Sequence, residues 1–252
     1  MGQILEVRGL TKRFGGLTAV SGLDFEVGEG EILGMIGPNG AGKSTTFNLV
    51  AGAYPASAGQ IVFKGESILG LPPHRIAARG ILRTFQHNRS FEGMPVIDNV
   101  LVGAHTKFST RLFGRAASRD ETARRQRAAE LIEFVGLSGL AHADVATLSF
   151  GQGRLLEIAR ALAGEPQLIL FDEPAAGLTP AELERLGGIL RGIAARGIAV
   201  LLIEHDMHFL LPLAHRVVVL DFGAKIADGP PAEIRANAAV MDAYLGLHAA
   251  AR

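Results

Sequence analysis

Four short apolar runs punctuate the chain: ILGMIG from residue 32, QLILF from 167, IAVLLI from 198 and VVVL from 217. Each is β-branched or leucine-rich and bounded by turn residues, which predicts strands buried on both faces and therefore a parallel or mixed central sheet. Helical patterns lie between them. Thr179-Pro180-Ala181-Glu182 reads as a capping box with proline at the first helical position, and Leu183, Leu186, Ile189, Leu190 and Ile193 then recur on one face. A second box, Ser118 to Glu121, predicts a helix start ahead of Leu131, Ile132, Phe134 and Val135. Strand signals are few between residues 86 and 149, so that stretch reads as an inserted helical subdomain. Residues 3–68 alternate apolar positions with glycine-rich turns, which predicts an antiparallel sheet beside the first buried strand.

Composition narrows what such an α/β chain can be. Its 252 residues, 48% of them hydrophobic, suffice for a packed core. Lys and Arg total 25 and Asp and Glu total 25, so no overall basic field draws in nucleic acid or anionic membrane, and no nucleic-acid partner is expected. Cysteine is absent, which excludes disulfides, thiolate metal sites and thiol nucleophiles and suits a reducing cytoplasm. The N-terminal segment lacks the apolar core of a secretory signal, and no apolar run approaches the ~20 residues a membrane-spanning helix needs. If the task is transport, the pathway belongs to another chain.

Candidate chemistry begins at Gly37-Pro38-Asn39-Gly40-Ala41-Gly42-Lys43-Ser44, followed by Thr45. This matches G-x-x-x-x-G-K-[ST] between a predicted strand and an apolar helix, the context that a phosphate-binding loop requires. Backbone N–H groups surround phosphate oxygens only where no β-carbon intrudes, and the helix N-terminus adds its positive dipole end. Lys43 supplies a mobile cation for the β and γ phosphates, and Ser44 places a hydroxyl at Mg²⁺. Downstream, the apolar strand LILF ends in Asp172 and Glu173. Adjacent strand residues face opposite ways, so the two carboxylates are expected to divide the work: Asp172 on the Mg²⁺ shell, Glu173 as general base to the attacking water.

Leu148-Ser149-Phe150-Gly151-Gln152, ahead of the helical GRLLEIARALA, is the point at which the sequence resembles the ABC ATPase family, whose signature there reads L-S-G-G-Q. Ser149 suits a helix cap and Gly151 a close approach to phosphate, giving a second anion site far along the chain from the first. The resemblance covers nearly the whole chain. It implies a RecA-like P-loop NTPase core, an antiparallel β region and an inserted helical subdomain, with residues 1–86 and 160–252 forming the core and 87–159 the helical part. It also implies that ATP is enclosed by the P-loop of one subunit and by Ser149, Gly151 and Gln152 of another. By the same likeness Phe14 stacks on adenine with Val20 beside it, Gln86 reaches Mg²⁺ and the water, and His205 contacts the γ-phosphate. The implied catalytic set is Lys43, Gln86, Glu173 and His205, and the implied Mg²⁺ set is Ser44, Gln86 and Asp172. Three positions depart from the family pattern: Phe150 replaces the first glycine of the signature pair, Gly153-Arg154 suggests a looser helix start, and Thr179 stands where many members carry aspartate.

The wording around the motifs, with RTFQHNRSF, DEPAAGLTP, LIEHDM and a tail containing DAYLG, is similar to the ATP-binding subunits of branched-chain amino-acid uptake systems. That likeness implies a second ATPase subunit, two membrane permease subunits, an extracytoplasmic binding protein and a place on the cytoplasmic face of the inner membrane. Urea or amide uptake and lipid export use similar subunits and stay open. Two other rivals are weighed. A nucleic-acid-associated ABC ATPase would carry long coiled-coil inserts or two cassettes. A solitary P-loop kinase or GTPase would leave LSFGQ without a role. Seven basic residues between 107 and 127 (Lys107, Arg111, Arg115, Arg119, Arg124, Arg125, Arg127) read first as a solvated helix face, and alternatively as a surface toward the permease and lipid headgroups.

Overall fold

The computed structural model describes residues 2–84, 90–104 and 115–249, with the backbone alone for 115–120 and 245–249. Two sheets carry the chain. The first is antiparallel, in the order β2 (Leu17–Gly28), β1 (Gln3–Phe14), β4 (Ala58–Phe63), β5 (Glu66–Ser67). The second runs β10 (Ala224–Gly229), β9 (Arg216–Asp221), β3 (Ile32–Ile36), β8 (Ala199–Ile203), β7 (Leu168–Asp172), β6 (Ile81–Arg83), parallel throughout except for the edge strand β10. All four apolar runs are central strands of this second sheet, and β3, β7 and β8 are buried at every position.

Burial on both faces explains those runs. In β7, Leu168 and Leu170 face the core shared with the antiparallel sheet, while Ile169 and Phe171 face the core beneath the helices. Each fully buried Leu, Ile or Phe contributes roughly 1.5–3 kcal/mol. A slip of one residue would move Phe171 to the other core and turn every neighbour with it, so the register is firmly held. Asp172 therefore falls at the strand end beside Ile203 of β8. Because β3, β7 and β8 are parallel neighbours, their C-terminal ends share one rim, where open α/β sheets take their ligands.

Every described element between β6 and β7 is helical: α3 (Val96–Gly103), α4 (Arg115–Phe134), two short 3₁₀ turns and α5 (Phe150–Ala163). Residue 159, where the sequence suggests a boundary, lies within the continuous helix α5. α4 already includes Arg115, ahead of the Ser118 box; Arg115-Ala116-Ala117 are good helix formers, so propensity carries the helix through that signal. The Thr179 box is present as read, with Thr179 capping α6 (Pro180–Ala195) and Glu182 reaching back to it. α7 (Met207–Leu210) lies between β8 and β9, and α8 (Pro231–Ala236) and α9 (Ala238–Ala249) follow β10. Among the described residues no helix is long and apolar enough to cross a membrane.

Candidate active site

The phosphate loop leaves β3 at Ile36 and enters α1 (Lys43–Val50) at its first residue. Gly42 is the N-cap, with φ 100°, and a β-carbon there would lie 2.5 Å from the carbonyl oxygen of Ala19. Only glycine fits both the left-handed backbone and that approach. The turn between β9 and β10 braces the loop from outside: Gly223 N–H donates to Ala41 O at 3.1 Å and Ser21 N–H to Gly223 O at 2.8 Å. Lys43 is buried, and its ammonium donates to Gly37 O at 2.7 Å and Pro38 O at 2.9 Å, which leaves one N–H for a ligand. Burial lowers its pKa, opposed by the Glu173 and Asp172 carboxylates. A cleft of about 180 Å³ opens over this loop, lined by Asn39 to Thr45, Ala19, Glu173 and His205.

The two carboxylates do differ in environment. Asp172 is buried, and its Oδ2 accepts from Arg83 of β6 at 2.7 Å; Arg83 also donates to Asn48 at 2.6 Å. Asp172 Oδ1 is buried with no hydrogen-bond partner among the described residues. Burial raises the Asp172 pKa and the neighbouring Arg83 guanidinium opposes the rise. A buried carboxylate oxygen lacking a donor, with the hydroxyl of Ser44 in the same loop system, fits a hard divalent cation that completes its shell with water and phosphate. Glu173 is partly exposed in the cleft and lies one residue past the strand. Its separation from Asp172 comes from a left-handed backbone (φ 51°), not from strand alternation as the sequence suggested. His205 Nε2 is 2.7 Å from Glu173 Oε1, with the imidazole N–H donating to the carboxylate.

The helix tip at Ser149 is built separately. Ser149 accepts from Gln152 N–H at 3.2 Å, and Gln152 Oε1 accepts from Ser149 N–H at 2.8 Å, a complete capping box. Among the described residues lining the cleft, none comes from α5. Phe150 turns away from the cap, its ring edge 3.1 Å from where a Gly177 β-carbon would stand and its face under the Arg154 guanidinium. Gly153 N–H bonds Ser149 O at 2.9 Å and Arg154 is buried, so the helix start is tight rather than loose. Gly151 meets Glu182: a β-carbon would come within 2.1 Å of Glu182 Oε1. Because Glu182 Oε2 accepts from the Thr179 N–H at 2.9 Å and hydroxyl at 2.8 Å, it cannot swing aside without uncapping α6. Gly151→Ala should therefore cost about 1 kcal/mol, the value of a helix cap. In chemical-denaturation cycles the cost should shrink once Glu182→Ala is also present; strictly additive losses would refute the contact.

A family model described as "ABC transporter" matches residues 20–176, more than half of the chain. This chain belongs to the ABC transporter family. A second model, described as "Branched-chain amino acid ATP-binding cassette transporter", matches residues 224–250. The high-affinity branched-chain amino acid transport ATP-binding protein BraF of Pseudomonas aeruginosa is 45% identical over 249 residues, covering 96% of this chain and 98% of BraF. LivG of Escherichia coli, with the same description, is 41% identical over 249 residues, with coverage of 96% and 98%. The crystal structure of the ADP conformation of MJ1267, an ATP-binding cassette of an ABC transporter, superposes with a TM-score of 0.86 at 30% identity, covering 98% of this chain and all of that one. This ABC protein thus binds nucleotide and hydrolyses ATP as a component of a transport system.

Within this ABC ATPase the cleft brings together Asn39, Gly40, Ala41, Gly42, Lys43, Ser44, Thr45, Glu173 and His205, while Gly37 anchors Lys43 from below. Asp172 is buried next to Glu173, and Ser149, Gly151 and Gln152 are not among the described residues that line the cleft. Phe14 ends β1 part-exposed, edge-on to Tyr54 (ring centroids 5.7 Å apart) with Lys12 Nζ 4.7 Å from its centroid. Val20 is wholly buried in the core under the loop, and Ala19 rather than Val20 lines the cleft. Gln86 lies outside the described residues, as do Lys107 and Arg111. Of the basic run, Arg125 pairs with Glu121 at 2.9 Å and Asp98 at 3.5 Å, and Arg127 with Glu130 at 3.2 Å, as on a solvated helix face. Sequence reading missed Arg83, which clamps Asp172, and Tyr54; the only hint was that Arg83 stands three residues before Gln86.

Proposed function

We propose that this subunit powers uptake of branched-chain amino acids, working at the cytoplasmic face of the membrane beneath two permease subunits and paired with a second ATPase subunit. An extracytoplasmic binding protein selects the substrate. The observation that carries the two-subunit reading is a complete, capped helix tip at Ser149 together with a cleft whose described lining residues include none from α5. The substrate reading draws on the relatives' near-full-length likeness and on the match over residues 224–250.

In this reading the γ-phosphate of ATP lies in the residues 37–45 cradle, with adenine against Phe14 and Val20 supporting the loop. The third Lys43 N–H stabilises charge as the terminal phosphoryl group departs. Ser44, Asp172 and Gln86 would hold Mg²⁺, which when bound neutralises β and γ oxygens. Glu173 orients water for in-line attack and His205 fixes the carboxylate that does so. Ser149, Gly151 and Gln152 of the second subunit close on the same phosphate, so hydrolysis removes what joined the two surfaces and the permeases follow the reopening.

The test is reconstitution. Membrane proteins co-purifying with this chain, placed in liposomes with a leucine-binding extracytoplasmic protein, should accumulate leucine, isoleucine and valine only when ATP is supplied on the side of this subunit. Uptake of urea or short amides instead, or export of lipid, would overturn the substrate reading while leaving the ATPase intact.

A further inference from the structure

Glu204 directly follows β8 and directly precedes His205. Its side chain is only 3% exposed, yet among the described residues it forms no ion pair with a cation. A carboxylate held that way is costly, and a fold keeps one only where its hydrogen bonds do something an apolar side chain cannot. Glu204 Oε1 accepts the backbone N–H of Ala175 at 2.8 Å. Ala175 lies two residues beyond Glu173, in the loop between β7 and α6, and His205 is the residue bonded to Glu173. One side chain on the segment that carries His205 thus grips the loop that carries Glu173.

The need for such a grip is visible in the backbone. Glu173 adopts φ 51°, a conformation that a non-glycine residue keeps only when its surroundings over-determine it. Upstream, Glu173 N–H is fixed on Ile203 O at 3.0 Å. Downstream, the Ala175 N–H on Glu204 is the matching restraint, so the left-handed residue is pinned from both sides by consecutive residues of one segment, Ile203 and Glu204. Loosening the second pin lets Glu173 relax and carries its carboxylate away from the water it must orient. Displacements of this kind cost rate rather than binding, because ATP is gripped by a different loop.

We propose that Glu204 is a positioning residue of the ATPase reaction, tying the Glu173 loop to the segment that carries His205 through its hydrogen bond to the Ala175 backbone N–H. The proposal rests on the roles given above to Glu173 and His205. The variants are Glu204→Leu, which keeps bulk and suits a buried position, and Glu204→Gln, which keeps one acceptor oxygen for the Ala175 N–H. Steady-state phosphate release should show kcat at least tenfold lower for Glu204→Leu with the KM for ATP within threefold of the unaltered protein. Glu204→Gln should recover at least threefold in kcat over Glu204→Leu. A cooperative thermal melt in each case identifies folded protein. The proposal is overturned if Glu204→Leu turns over within twofold of the unaltered protein, if its loss lies in KM, or if Glu204→Gln does no better. Should Glu204→Leu not melt cooperatively, Glu204→Gln decides: kcat below a tenth of the unaltered value refutes the acceptor role, and a higher value supports it. A Glu173→Gln control separates the two levels. If that control turns over freely, the catalytic assignment itself has failed; if it is dead while Glu204→Leu is normal, only the positioning role of Glu204 has.

Discussion

Glu173→Gln is expected to cut ATP turnover by about 10²–10⁴-fold, the range for losing a general base, with nucleotide affinity preserved. Glutamine matches the shape of glutamate, so the left-handed backbone at this position bears no extra crowding, and the amide oxygen still accepts the His205 N–H now found 2.7 Å from the carboxylate. What disappears is basicity at one atom. The Glu173 charge also raises the pKa of buried Lys43, so its removal takes a negative charge from the cleft where a triphosphate binds. Affinity for ATP should hold or tighten while the chemical step stalls. Fluorescent-nucleotide titration beside phosphate release reads both quantities; turnover within threefold of the unaltered protein would remove Glu173 from the chemistry.

Replacing Glu204 by glutamine should make the folded protein more stable at pH 8 by about 3 kcal/mol, since a tenfold change in proton affinity is worth about 1.4 kcal/mol. Burial pushes the Glu204 carboxyl up to about 7 from 4.5; the N–H groups of Ala175 and His205 oppose this, and the Glu173 and Asp206 carboxylates add to it. The sign follows from proton binding. Between pH 4.5 and 7 the folded chain holds a proton that the unfolded chain has released, so the contribution to stability is intact below about 4.5 and is lost as pH rises through 7. Glutamine has no proton to lose, so urea melts of the two proteins should nearly coincide at pH 4.5 and diverge by pH 8. A gap that stays constant across that window would refute the account. With the kinetic test this gives a paired expectation at one residue, stability gained in Glu204→Gln and rate lost in Glu204→Leu, as happens where a side chain is retained for activity.

Whatever depended on spacing along the chain could be read from the sequence. The apolar runs gave the central strands because burial on both faces leaves no polar alternation, and Thr179 with Glu182 gave a helix start because a capping box is a contact between near neighbours. The P-loop was legible for the same reason: its glycines answer local demands such as the φ of 100° at Gly42. What stayed hidden depends on residues that only folding brings together. Arg83 reaches Asp172 across 89 positions, and Glu204 reaches Ala175 across 29. The Phe150 and Thr179 departures looked like independent losses, yet the Phe150 ring lies on Gly177, two residues from Thr179, and Thr179 spends its hydroxyl on the α6 cap. Ser118 lies inside α4 and does not begin it, because the helix formers before it outweigh a good cap signal.

The brace on the phosphate loop comes from far away in the chain. Ala41 is held by Gly223, and Ile32, at the head of the strand that delivers the loop, donates its N–H to His215 Nδ1 at 2.9 Å. A ribosome makes these partners some 180 positions after the glycines they steady. The newborn polypeptide therefore carries an unfinished cradle until the β9–β10 turn has left the exit tunnel.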